Sequence, residues 1–198
     1  MKHLLYTLII TLFCTNVFAQ EKLVKDIDFD GINDTIYVDT EKGVIVCQLS
    51  TRNFQTIESK PISINEHAHI SETKNGFKFS HPEMRSGFSA QFRYDKNKKR
   101  IRLIGMKIYS FGNAAQDGSG EASVNLLTNR YIGDWNYYDY LANDEEGELI
   151  SIPTIKAKMN FGKIYLEDFD ETIYNDYDKR CTSLFVKHKN LHKEQRKK

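Results

Sequence analysis

The sequence lacks two features that would assign it at once to a membrane or to a nucleic acid. Beyond its first residues, no stretch approaches the roughly 20 apolar residues that a membrane-spanning helix needs. It also lacks an excess of basic charge, because 28 Lys and Arg residues stand against 27 Asp and Glu residues, and loss of the first 19 residues would leave 27 of each sign. A neutral chain has no basic footprint for a phosphate backbone. We therefore predict neither a membrane span nor a nucleic-acid partner.

Motifs that name a reaction are absent too. The sequence has no Gly-x-Ser-x-Gly elbow, and no set of His, Ser and an acid can be assigned. Residues 117–121 contain two glycines but lack the lysine and the helix start of a phosphate-binding loop. No repeat of 20–50 residues is detectable. The sequence therefore favours a non-enzymatic protein and leaves catalysis open.

Cysteine is scarce, with Cys14, Cys47 and Cys181 as the whole set. Cys14 lies in the N-terminal apolar stretch and lacks the small residues expected before a lipoprotein cysteine. An oxidising compartment would allow a Cys47–Cys181 disulfide, worth about 3–5 kcal/mol in the chain-entropy model. The alternative is two separate buried thiols.

The N-terminus has the layout of a secretory signal peptide. Lys2 and His3 are followed by an apolar stretch over residues 4–13, and Val17 and Ala19 place small residues before a cut at residue 20. We predict a signal peptide over residues 1–19 and an exported protein, periplasmic or secreted.

Short β-branched and aromatic segments separated by polar turns predict a mainly β fold. The clearest hairpins cover residues 35–49 and 88–109. We predict one antiparallel β-sandwich-like domain over residues 20–166. Further strand candidates are residues 54–57, 62–64, 77–79, 123–128, 131–135, 150–155 and 163–166, with loops at 111–121 and 136–148.

The last segment, residues 167–198, changes to a helical period. An apolar stripe recurs every three or four residues, and Asp168 followed by Glu171 resembles a capping box. We therefore predict a C-terminal amphipathic helix with a basic tail. The stripe consists of Ile173, Tyr177, Cys181, Leu184, His188 and Leu191.

Four carboxylates and a glycine are packed into residues 26–34, which read Asp-Ile-Asp-Phe-Asp-Gly-Ile-Asn-Asp. The carboxylates stand at positions 1, 3, 5 and 9 and the glycine at position 6, which is the ligand spacing of an EF-hand-type calcium loop. Without a cation the carboxylates would repel one another. We predict a Ca²⁺ site formed by the side chains of Asp26, Asp28, Asp30 and Asp34 and the carbonyl of Ile32. The alternative is an acidic surface turn without metal.

This loop differs from a true EF-hand, which has a bidentate Glu at position 12 and flanking helices. Here position 12 is Tyr37 and a strand follows. Over residues 26–39 the sequence resembles the calcium loops of FG-GAP and VCBS-type segments, which share Asp-x-Asp-x-Asp-Gly-x-x-Asp before an apolar strand. The resemblance implies a structural calcium ion, with Asp34 as the closing carboxylate. A single copy in a short chain does not imply a propeller.

A second resemblance covers residues 88–128. The strings Phe-Arg-Tyr-Asp at 92–95, Leu-Ile-Gly at 103–105 and Ser-Val-Asn-Leu-Leu-Thr at 123–128 are similar to those of a family of exported bacterial proteins. Those proteins pair an acidic Phe-Asp-Gly loop with such a hairpin, and some resemble β-sandwich lysozyme inhibitors or immunity proteins. The resemblance implies an inhibitor of a cell-wall hydrolase.

Two weaker patterns remain. His67 and His69 would share one face of a strand, and His81 on a neighbouring strand would make a third zinc or copper ligand; separate surface histidines are the alternative. Residues 135–140, Trp-Asn-Tyr-Tyr-Asp-Tyr, precede an acidic turn and form a candidate glycan- or peptide-binding surface. Its candidate catalytic carboxylates are Asp139, Asp144, Glu145 and Glu146. The alternative is that these aromatics pack in the core.

Taken together, these patterns predict an exported, calcium-stabilised β-protein that binds an envelope protein or glycan. The alternatives are an enzyme that acts on envelope glycans through residues 135–146, and an inhibitor or immunity protein against a cell-wall hydrolase.

Overall fold

Two antiparallel sheets and one C-terminal helix make up the computed structural model, which describes residues 22–196. The prediction of a mainly β fold closed by a helix is confirmed. The predicted signal peptide lies outside the described residues. Within them, no helix is both long enough and apolar enough to cross a membrane.

The small sheet has four strands in chain order: β1 (Leu23–Lys25), β2 (Asp34–Asp39), β3 (Val44–Gln48) and β4 (Thr56–Glu58). Strand β2 alternates buried and half-buried residues, as expected for a strand with one face in the core. β2 and β3 form the predicted hairpin. At its turn Gly43 has φ of +68°, and a Cβ there would lie 2.5 Å from the Ile62 carbonyl oxygen, so glycine is required.

The large sheet contains the other eight strands: β5 (His69–Thr73), β6 (Gly76–Pro82), β7 (Ser86–Asp95), β8 (Arg100–Phe111), β9 (Ser119–Asn125), β10 (Arg130–Asp139), β11 (Glu148–Ser151) and β12 (Ile155–Lys158). Seven of them run in the order β11-β10-β9-β8-β7-β6-β5. Strand β10 pairs with β9 on one edge, and on the other edge with β12 at its start and β11 at its end. The predicted hairpin over residues 88–109 is confirmed as β7 and β8.

One face of the large sheet packs in the hydrophobic core. Phe77 and Phe92 are cross-strand partners whose ring centroids lie 5.1 Å apart, and Phe169 packs edge-on against Phe92. Buried residues of the small sheet, among them Ile36 and Cys47, belong to the same hydrophobic cluster. The two sheets and the helix therefore share one core.

Helix α1 (Glu171–Arg196) covers this same face at β7 to β10. Tyr177 is fully buried, and its hydroxyl donates to the carbonyl oxygens of Met106 and Ala122 at 3.3 and 3.0 Å. The predicted apolar stripe begins as expected, although Leu191 at its end is exposed. The N-terminal cap is Asp170, whose Oδ1 accepts from the amides of Thr172 and Ile173. The predicted capping box at Asp168 is wrong, because that carboxylate pairs with Arg100.

Several strand boundaries differ from the predictions. Residues 62–64 and 163–166 are not strands, because each segment makes only isolated backbone hydrogen bonds: the Ile62 amide donates to Gly43, and the Ile164 carbonyl accepts from Leu103. A short 3-10 helix, Leu166–Asp168, follows the second segment. The predicted loop at 136–148 is shorter, since β10 continues to Asp139, and the predicted strand at 150–155 is divided between β11 and β12.

Candidate metal centre

The acidic loop, residues 26–34, connects β1 to β2. Its first carboxylate, Asp26, fixes its turn by accepting hydrogen bonds from three backbone amides of the loop. Asp26 Oδ1 accepts from the amides of Phe29 and Asp30 at 2.7 and 3.2 Å, and its Oδ2 accepts from Gly31 at 2.9 Å. This turn requires φ of +67° at Phe29 and +90° at Gly31. Glycine adopts such an angle without steric cost, which explains the glycine at position 6.

Asp34, the last carboxylate of the loop, is completely buried. Its Oδ2 accepts from the amides of Ile27 and Asp28 at 2.8 and 3.3 Å, and its Oδ1 accepts from the Ser50 amide at 2.8 Å. One side chain thus joins the start of the loop to the end of β3.

Three of the four loop carboxylates converge. Asp26, Asp28 and Asp34 each place an oxygen so that all three oxygens lie within 4.8 Å of one another, and Asp28 and Asp34 are buried. Among residues 22–196, no other group of three or more Asp, Glu, His or Cys side chains is placed to hold a metal ion. Carboxylate oxygens alone form the set, which suits a hard cation.

Asp28 shows why a cation fits the cluster. It is only 5% exposed, and Thr51 Oγ1 donates to its Oδ2 at 2.5 Å, but its Oδ1 has no accessible surface and no hydrogen-bond partner among the described residues. Burial raises the pKa of Asp28 above its ordinary value; the hydrogen bond from Thr51 opposes this rise, and the three neighbouring carboxylates add to it. A buried carboxylate oxygen without a donor is costly unless a cation binds it.

The other two predicted ligands, Asp30 and Ile32, are not part of this cluster. Asp30 Oδ1 accepts from the Ile32 amide, and its Oδ2 accepts from Ser50 Oγ, both at 2.8 Å. Asp30 therefore ties the exposed tip of the loop to the 3-10 helix Ser50–Arg52. The full set of five ligands stays a prediction, of which the structure brings three together.

Ser50 and Thr51 were missed by reasoning from sequence, although they hold three of the four carboxylates in place. They lie 16 and 17 residues after Asp34, the end of the loop, and reach it only because β2 and β3 pair as a hairpin. The available signal was the polar Ser-Thr pair directly after a buried strand, opposite the strand that the loop precedes.

The three histidines do not form a metal site in the described structure. His69 lies at the start of β5 and is exposed, with its Nδ1 at 2.9 Å from the carbonyl oxygen of His67. His81 is buried, and its Nε2 accepts from the Asn65 amide at 3.3 Å. The three side chains are not among the groups that could hold an ion.

The aromatic segment of β10 mainly faces the core. Trp135 and Tyr137 are buried, where they contact Phe185 and His192 of α1. Tyr140 is exposed at the end of the strand. The acidic turn that follows is also exposed, with Glu146 accepting from Asn143. The alternative of core packing is therefore correct for Trp135 and Tyr137. Tyr138 is half-buried and packs against Tyr140, with ring centroids 4.8 Å apart.

The two remaining cysteines are free and buried in separate environments. Cys47 lies in β3 near the acidic loop, whereas Cys181 lies in α1 beside Tyr131 and Tyr177. Burial raises the pKa of both thiols, that of Cys181 to about 12. The structure therefore shows two buried thiols and no disulfide between them.

No protein-family model, curated protein or solved structure matches the chain.

Proposed function

We propose that this is an exported, calcium-stabilised β-protein that acts by binding another macromolecule of the cell envelope and not by catalysis. The calcium assignment rests on Oδ1 of Asp28, which is buried and has no hydrogen-bond partner among residues 22–196, in a side chain that converges with two further carboxylates. Ca²⁺ suits this arrangement because it accepts six to eight oxygen ligands in flexible geometry, with water filling the positions that the protein leaves free.

The role of the ion is structural. The cluster joins the end of β1, the start of β2 and, through Ser50 and Thr51, the end of β3. A bound cation would neutralise carboxylates that otherwise repel one another at this junction. The loop is followed by a strand and has no helix that could move, so the site stabilises the small sheet and is not arranged as a calcium sensor.

The binding part is supported by apolar side chains on and beside the loop. Phe29 and Ile32 are exposed on the loop itself, and Phe54 is exposed just after the 3-10 helix that pins it. A group of exposed apolar side chains near one another, unlike a single one, is typical of contacts with another macromolecule. The export part is supported by the N-terminal sequence pattern.

Calcium titration by calorimetry tests the metal centre. We expect binding by the native chain and by Asp39→Asn, which changes a carboxylate of β2 outside the cluster, and no binding by Asp28→Asn. Equal binding by all three proteins would contradict the proposed site, and a preference for Mg²⁺ would contradict calcium as its ion.

Affinity capture from envelope extract tests the partner. We expect Phe29→Ser/Phe54→Ser to lose a partner that the native chain retains, and a captured lytic enzyme would favour the inhibitor alternative.

Turnover of peptidoglycan by the native chain, lost in Asp144→Ala/Glu145→Ala with unchanged folding, would overturn the non-enzymatic proposal.

A further inference from the structure

A basic cavity of about 570 Å³ lies beside the tip of the acidic loop. It is formed by Phe29 of the loop, the turn between β7 and β8, the outer face of those strands and the segment that precedes α1. Its volume is within the range of small-molecule sites. Five basic side chains line it: Arg93, Lys96, Lys98, Arg102 and Lys163.

Within residues 22–196 no carboxylate forms an ion pair with these charges, although Lys96 Nζ lies over the Phe29 ring, 4.7 Å from its centroid. The lining contains a single carboxylate, Asp95, whose Oδ1 is occupied by the amides of Asn97 and Lys98 in the turn. By contrast, nearby Arg100 pairs with both Glu167 and Asp168. The whole chain has a formal net charge of only +1, so the cavity concentrates positive charge locally.

Pairing of β7 with β8 places two of these basic side chains next to each other. Arg93 of β7 and Arg102 of β8 are directly opposed in the register, and like charges in that position destabilise a strand pair. Both side chains are half-buried, and Arg102 Nε is sheltered from solvent with no acceptor among the described residues. An oxyanion between the two guanidinium groups would relieve the repulsion and supply the missing acceptor.

We propose that this cavity binds a small organic molecule that carries two or more phosphate groups. The planar guanidinium fork matches phosphate oxygens with paired hydrogen bonds, and Lys96, Lys98 and Lys163 provide charge for a second group. The ring of Tyr94 gives the organic part an apolar contact surface, whereas the ring of Phe29 is in contact with Lys96. This proposal uses residues outside the carboxylate cluster and does not depend on calcium.

Fructose 1,6-bisphosphate serves as the probe, with fructose as its uncharged counterpart. We expect the native chain to bind the bisphosphate in calorimetry and not the sugar. In the NMR spectrum of the bound protein, the arginine Nε–H signals of Arg93 and Arg102 should shift most. The double variant Arg93→Gln/Arg102→Gln should lose at least tenfold in affinity, because each guanidinium contributes charge-assisted hydrogen bonds.

Arg130→Gln/Lys158→Gln provides a matched control. These residues are also a directly opposed basic pair in the large sheet, but both are exposed and neither lines the cavity. The control should keep its affinity within about twofold. Equal losses in the two double variants would show attraction to overall charge and overturn the proposal, as would absence of binding by the native chain. Lys163→Gln, on an exposed segment, repeats the test if the arginine variant fails to fold.

Discussion

Replacing Asp28 with Asn should abolish the effect of calcium on the melting temperature without lowering stability in chelator. The buried carboxylate has one oxygen without a partner and lies against two further carboxylates, so its negative charge destabilises the metal-free fold. Asparagine keeps an acceptor for Thr51, and its amide N–H groups would lie near carboxylate oxygens of the cluster. In chelator, the variant should therefore melt at the same temperature as the native chain or higher.

The size of the calcium effect follows from linkage. At a free calcium concentration one hundred times the Kd, a bound ion stabilises the folded state by about 2.7 kcal/mol. For a chain of this length each kcal/mol raises the melting temperature by roughly 2–4 °C, so calcium should raise it by roughly 5–10 °C in the native protein. Differential scanning calorimetry at fixed free calcium measures this increment directly.

Two further variants make the test discriminating. Asp39 lies on β2, the strand that begins at Asp34, but outside the cluster, so Asp39→Asn should keep the full increment. Asp30→Asn separates the five-ligand prediction from the three-carboxylate cluster, because a lost increment would mean that Asp30 moves onto the ion. A native melting temperature that calcium leaves unchanged would refute the metal centre. So would an Asp28→Asn variant that retains the increment and is less stable than the native chain in chelator.

Three other predictions concern the helix and the thiols. Tyr177→Phe removes a buried hydroxyl that donates to two sheet carbonyls, and should cost about 1–2 kcal/mol in chemical denaturation, whereas exposed Tyr140→Phe should cost nothing measurable. Partial burial opposes ionisation of Asp117, but hydrogen bonds from Lys189 and a backbone amide lower its pKa below the ordinary 3.8. Its stabilisation is therefore complete above the unfolded-state pKa and is lost as pH falls through the lowered folded-state value, so the melting-temperature difference between the native chain and Asp117→Asn should shrink from pH 6 to pH 3. Cys181 and the other buried cysteine should be unreactive toward a thiol reagent in the native protein, and both should react after denaturation; no reaction after denaturation would indicate a disulfide.

Elements with a strong local period could be predicted from sequence, and isolated contacts could not. The hairpin of β7 and β8 and the C-terminal helix follow from alternation and from the helical stripe. Residues 62–64 have the apolar, β-branched composition of a strand. They are nevertheless joined to the distant β2–β3 turn only by the hydrogen bond from the Ile62 amide to the Gly43 carbonyl oxygen. Composition reports burial, whereas pairing depends on which edges are free in the folded sheet.

The same distinction applies to the sites. The acidic loop is contiguous in sequence, so its carboxylate spacing was visible, but the roles of Ser50 and Thr51 depend on the pairing of β2 with β3. The basic cavity could not be predicted, because the opposition of Arg93 and Arg102 depends on register beyond an irregularity in the β7–β8 pairing. Lys163 arrives from a segment more than 60 residues farther along the chain.

The position of α1 determines when the chain can finish folding. Tyr177 and His192 of the helix contact residues of β8, β9 and β10 that precede them by 55 to 71 residues. The core-facing side of the large sheet is therefore synthesised long before the helix that covers it. A nascent chain that ends before Tyr177 would expose that face and be prone to aggregate. A stop codon before Tyr177 should therefore cause insolubility and degradation, even though every strand and both candidate sites would already have been made.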